Sequence, residues 1–113
     1  MAERTILWSD AARDDLRAIA FHIANDSLEN ALEVVDVLER RASSLARLST
    51  RGRVVPELRR LAGTRFREVI EAPWRIVYRV EDTSVFVVAV IDSRRDLQTW
   101  LLQQAARFKA SGA

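Results

Sequence analysis

The spacing of apolar residues changes period along the chain, and each change marks an element. Thr5 to Trp8 ("TILW") is a short β-type run. In the following "SDAARDDLRAIAFHIAND", Ala12, Leu16, Ile19, Ala20 and Ile23 recur at helical spacing, and Ser9 or Asp10 is placed to cap them. A helix ending near Asn25 is predicted. Ser27 can cap a second helix, in which Leu28, Ala31, Val35, Leu38, Ala42 and Leu45 form one stripe running to about Leu48. The short "NDS" link makes the pair an antiparallel hairpin. Val34 and Val37 broaden the apolar face of the second helix, so it is expected to touch a sheet as well as its partner.

"STRGRVVPELRRLAGTR" has no clean period and reads as a loop with one helical turn at Pro56 to Leu61. Three β-type runs follow, "FREVIEA", "WRIVYRVE" and "SVFVVAVID", with Ala72-Pro73 and Asp82-Thr83 at the turns. They predict an antiparallel meander. Val85 to Ile91 is apolar at every position, which suits a central strand covered on both faces. "RRDLQTWLLQQAARF" predicts a final helix with Leu97, Trp100, Leu101 and Phe108 inward, and residues 109–113 read as a flexible tail. The order β-α-α-β-β-β-α makes residues 1–113 a single α+β domain, a small twisted sheet with the helical hairpin on one face and the first strand at an edge.

Within "PWRIVYRV", Trp74, Ile76, Tyr78 and Val80 alternate with Arg75, Val77 and Arg79. The first set is expected in the core, Tyr78 included, and Arg75 and Arg79 on the opposite, partly open face. Truncating either arginine is then expected to leave the fold intact. Trp8, Trp74 and Trp100 read as core anchors.

The net charge of +2 hides a strong asymmetry. Residues 1–39 hold three arginines against nine acids, whereas residues 40–79 hold eleven arginines against three acids. The basic middle is the expected surface for an anionic partner, nucleic acid or acidic peptide. Arginines there can grip phosphate or carboxylate bidentately, but they cannot act as acid or base near neutral pH. There is no cysteine, which excludes disulfides and thiolate zinc sites. His22 is the sole histidine and falls off the apolar stripe, so no metal or cofactor is expected. The N-terminal stretch has no apolar run long enough for a signal peptide or membrane helix, so the expectation is a cytoplasmic protein without membrane contact.

Four segments in order carry a family resemblance over nearly the whole chain: "WSDAARDDLRAIAFHI", "GRVVPEL", "FREVIEAPWRIVYRV" and "AVIDSRRDL". Together they resemble toxins of the ParE/RelE superfamily, most closely the ParE-like branch. The resemblance implies the toxin of a bacterial type II toxin-antitoxin system, neutralised by a small cognate antitoxin of the ParD kind. ParE-like members are described as inhibitors of DNA gyrase. RelE-like members cut mRNA in the ribosomal A site, which makes ribosome and mRNA the alternative target.

For that ribonuclease alternative, the resemblance makes Arg75, Arg94, Arg67 and Glu68 the candidate catalytic set. Arg75 matches a phosphate-contacting arginine and Arg94 another active-site arginine. The C-terminal tyrosine or histidine of that branch corresponds to Trp100 or to nothing, its lysine pair has no counterpart, and Glu68 or Asp92 is the candidate base. As target or anion-binding residues the candidates are Arg53, Arg65, Arg67, Arg75, Arg79, Arg94 and Arg95. Arg94 and Arg95 read equally well as an ion-pair knot with Asp92 and Asp96. Phe21, Val34 and Val37, off the main stripes, together with Arg75 and Arg79, are the expected antitoxin contacts. A degenerate toxin kept only for binding is a third reading.

Overall fold

Two serines set where the helices begin. The computed structural model describes residues 3–94 and Thr99 of the chain, and in it β1 (Thr5–Trp8) runs into Ser9. The Ser9 hydroxyl accepts from the Ala12 N–H at 3.0 Å and donates to the Val88 carbonyl at 3.2 Å. One side chain thus caps α1 (Asp10–Ala24) and ties its start to the sheet. Ser27 accepts from the Asn30 N–H at 3.1 Å and caps α2 (Leu28–Ser43). That helix closes earlier than expected, tightening into a 3₁₀ turn at Ser44–Ala46. Leu28, the head of the predicted stripe, is exposed. As the first residue of the helix it has no preceding helical turn to cover it.

Among the described residues the sheet has five strands in the order β1-β5-β4-β3-β2, with β1 parallel to β5 and the other pairs antiparallel. Three of them, β3 (Phe66–Glu71), β4 (Trp74–Val80) and β5 (Ser84–Asp92), are the predicted meander. The remaining strand, β2 (Arg53–Val54), lies in the stretch read as loop. Two residues are too few to show alternation, so pairing with Arg67 and Glu68 of β3 defines the strand. The helical turn at Pro56 is present as a 3₁₀ turn (Pro56–Leu58) running into α3 (Arg59–Ala62). The final helix expected after Arg94, with Leu97, Trp100, Leu101 and Phe108, lies outside the described residues apart from Thr99, as does the tail.

Both sheet faces carry apolar clusters. On one, Ala12, Leu38, Ala42 and Leu45 from the helices pack on Val69, Ile76, Tyr78, Val85, Val87 and Val90. On the other, Val55 and Leu58 roof Val77, Ala89 and Ile91. The all-apolar β5 is buried on both sides, as its composition requires. It also carries an extra residue: Val77 faces Ala89 and Tyr78 faces Val87, so Val88 is passed over. This bulge reverses the alternation and lets Val87 and Val90 face the same helices. The bulge carbonyl, which loses its ladder partner, is the one that accepts from Ser9.

Candidate functional site

The roofed face of the sheet carries a closed network of four charged side chains. Strand pairing sets Arg53 opposite Glu68, and Ile70 opposite Arg75, so Glu68 and Arg75 are diagonal neighbours across β3 and β4. Glu68 is 1% exposed and Arg75 6%. Arg75 Nε donates to Glu68 Oε1 at 2.7 Å, and Arg53 Nε to Glu68 Oε2 at 2.7 Å. Arg75 Nη1 and Nη2 each reach a different oxygen of Glu57 at 2.8 Å. Glu57 is delivered by the turn that Pro56 opens. Two arginines and two glutamates therefore neutralise each other, with Arg75 gripped from both sides.

The electrostatics follow from that geometry. The hydrogen bonds from Arg75 hold the Glu57 carboxyl down at about 2, against a partial desolvation that opposes them. Glu57, and then Glu68, raise the Arg75 guanidinium above its ordinary value while burial pulls it down. Arg75 is charged at every accessible pH and offers no proton.

Tyr78 fixes the edge of this network. Its hydroxyl accepts from the Gly52 N–H at 3.0 Å, which positions Arg53, the next residue, over Glu68. A Cβ at Gly52 would lie 2.5 Å from both the Tyr78 hydroxyl and the Glu68 carbonyl oxygen, so the backbone approaches closer here than any side chain permits. Burial raises the Tyr78 phenol above its ordinary value. The residue is fully buried in the helix-side core, as its place in the alternation predicts.

The other arginines occupy separate places. Arg67 Nη1 donates to the Gly52 carbonyl at 2.8 Å and braces the same loop from the opposite face. Arg65 lies 5.9 Å from the Phe66 ring centroid. Arg79 shares the face of Arg75 but is only half-buried, pairing with Glu81 at 2.8 Å and stacking 4.8 Å over Phe86. Arg94 is exposed and clasps Asp92 through Nε and Nη2 at 2.9 and 2.6 Å. That hydrogen bonding lowers the Asp92 carboxyl to about 2 and raises Arg94. Half of the predicted ion-pair knot is thus formed, while Arg95 and Asp96 lie outside the described residues. Asp92 and Arg94 also line a groove of about 300 Å³ with Asp15, His22 and Trp74, between α1 and the end of the sheet.

Two expectations change. Arg75 does lie opposite Ile76 and Tyr78, but the 55–58 segment covers it and two carboxylates saturate it, so its removal is not neutral to the fold. Glu68 is bound to two arginines in the interior and is not a free base. Val34, also expected among the antitoxin contacts, is partly buried against the helix-side core, where its broadening of the apolar face of α2 places it. Phe21 is 78% exposed, and Val37 lines a second concavity. Glu57 was not anticipated; the only signal was an acid next to Pro56 in an otherwise basic segment.

The depressed Glu57 carboxyl has a consequence in acid. Its contribution is complete above the unfolded value of about 4.3 and is lost as pH falls toward about 2. Denaturation of wild type and Glu57→Gln at pH values across that window should show the gap between them closing on acidification. A gap that stays constant through the window would mean that the Glu57–Arg75 pair does not hold in solution.

Residues 6–97 match the model of a family described as the ParE toxin of the type II toxin-antitoxin system, parDE. Among solved structures, a chain of the chromosomal ParDE toxin-antitoxin system from P. aeruginosa is similar at a TM-score of 0.65, with 20% identity over 80% of this chain and 96% of that one. A chain of the toxin-antitoxin complex RelBE2 from Mycobacterium tuberculosis is similar at a TM-score of 0.60, with 19% identity over 81% and 93% of the two chains. At these identities the likeness is one of fold. No individually curated protein matches the sequence. Among the described residues no helix is long and apolar enough to cross a membrane.

Proposed function

The chain belongs to the ParE toxin family of type II toxin-antitoxin systems, and from that premise we propose that it arrests growth in the cytoplasm by binding DNA gyrase, with no reaction chemistry of its own. A cognate antitoxin of the ParD kind neutralises it by folding over its surface. The observation that carries this reading is the saturation of Arg75. Cutting RNA through its 2′-hydroxyl needs a base, an acid and cations on the phosphate. The arginine that resembles the phosphate contact is occupied by Glu57 and Glu68, and Glu68 is locked in the same network. Such a network holds a surface in shape for binding and leaves neither Arg75 nor Glu68 poised for proton transfer.

The exposed apolar side chains fit the antitoxin half of the proposal. Phe21 on α1 and Leu28 and Leu32 on α2 are 78%, 67% and 64% exposed. Leu28 and Leu32 are one turn apart on the same flank, as an amphipathic partner segment would require. Expression of the chain should stop growth, and co-expression of the antitoxin encoded beside it should restore growth. Replacing the acid-base groups of the α1 groove, His22→Gln with Asp92→Asn, should leave growth arrest unchanged. Arrest abolished by that double substitution in folded protein would refute a purely binding toxin.

A further inference from the structure

A second basic site lies away from the sheet network. Where the C-terminal end of α2 passes the end of β3, Arg40, Arg41, Ser44 and Arg51 line a concavity of about 270 Å³ with Val37 and Glu71. Three guanidinium groups face one carboxylate there, and each is weakly held among the described residues. Arg41 makes a single bond, from Nη2 to the Ile70 carbonyl at 3.2 Å, and its Nε is buried without a partner. Arg51 donates from Nη1 to the Ser44 hydroxyl at 3.1 Å. Arg40 pairs with Asp36 at 3.0 Å, with the two side chains 72% and 65% exposed, a geometry that holds little. Arg75, by contrast, has every nitrogen engaged.

The helix dipole accounts for Arg40 and Arg41, which sit in the last turn of α2. It does not account for Arg51, which arrives from the following loop, nor for the orphaned Nε. We propose that this concavity is a carboxylate-binding site that receives an acidic peptide segment of the antitoxin; the inference rests on the reading above that such a partner exists. The chemistry favours a peptide over a nucleic-acid backbone. Val37 gives the site an aliphatic wall, and Glu71 and Asp36 at its margins would repel a continuous polyanion while tolerating discrete carboxylates between them. Binding would draw the Arg41 guanidinium outward from the Ile70 carbonyl, so that it gains bidentate contact and its Nε gains an acceptor.

The test uses the full chain and a short synthetic peptide with glutamates and leucines spaced along one helical face. The Nε–Hε signals of Arg41 and Arg51 are followed by NMR during titration. They should shift, and Arg41→Gln with Arg51→Gln should weaken peptide binding by about tenfold or more, whereas Arg13→Gln with Arg17→Gln should not. Should the first variant misfold, the wild-type shifts decide alone. Unmoved Arg41 and Arg51 signals overturn the proposal, and so does a short single-stranded RNA that binds these arginines more tightly than the peptide. The peptide is not the antitoxin, so a negative result here leaves the growth-rescue experiment standing, and failure of growth rescue bears on the functional reading itself.

Discussion

Arg75→Ala is expected to lower the unfolding free energy by about 3–5 kcal/mol, the range for breaking a buried ion pair from one side. The loss does not come from the attraction alone, since a buried pair is worth little over a well-packed apolar alternative. It comes from what remains: Glu68, 1% exposed, keeps Arg53 on Oε2 but loses every partner on Oε1. Glu57 is released from its bidentate grip as well. Lysine is a poor substitute, because a point charge cannot reach two carboxylates on opposite sides as the planar fork does. Arg79→Ala on the same face is the control, with an expected loss under about 1 kcal/mol for a part-exposed pair. Urea denaturation of the two variants reads the difference. Equal losses would mean that Arg75 is no more structural than Arg79 and is free to meet a phosphate.

Tyr78→Ala is the second large effect, about 3–5 kcal/mol for truncating a fully buried aromatic side chain. Tyr78→Phe separates packing from the hydroxyl. It keeps the ring but leaves the buried Gly52 N–H without its acceptor, which costs about 1–3 kcal/mol. The loop beginning at Gly52 carries Arg53 and leads to Glu57, so the phenylalanine variant should also weaken the acid sensitivity that Glu57 confers. A phenylalanine variant as stable as wild type, with its acid response intact, would show that the hydroxyl does not anchor the loop.

These two residues also mark how far the sequence could be read. Period-two alternation placed Tyr78 on the core face and Arg75 on the other, and both placements hold in the sheet. Alternation is a local property, however, and burial is not. What covers Arg75 is Val55 to Leu58, some twenty residues earlier, and nothing in the pattern of β4 announces it. The serine caps at Ser9 and Ser27 were legible because capping acts within one helical turn. Strand β2 was not, because its two residues exist as a strand only through β3. The β5 bulge was hidden for a related reason: a run apolar at every position fits either register.

The same division separates the two basic sites. Charge counts drew attention to residues 40–79, yet they could not tell an arginine spent inside the fold from one still open to a partner. Arg75 is of the first kind, whereas the Arg41 and Arg51 side chains each hold a single hydrogen bond among the described residues. That distinction needs the partners of each nitrogen, which only the folded chain supplies. The resemblance to the toxin superfamily, by contrast, rests on short segments in order, and the family match over residues 6–97 bears it out.

The proposal that the protein binds gyrase and does not cut RNA separates cleanly in one experiment. The direct measurement places the purified chain in two parallel reactions, DNA gyrase with relaxed plasmid and ribosomes programmed with mRNA. A gyrase-binding toxin should inhibit supercoiling, or trap cleaved DNA, in proportion to its own concentration, while the mRNA stays whole. Codon-positioned cuts in the ribosome-bound mRNA, with gyrase unaffected, would contradict it.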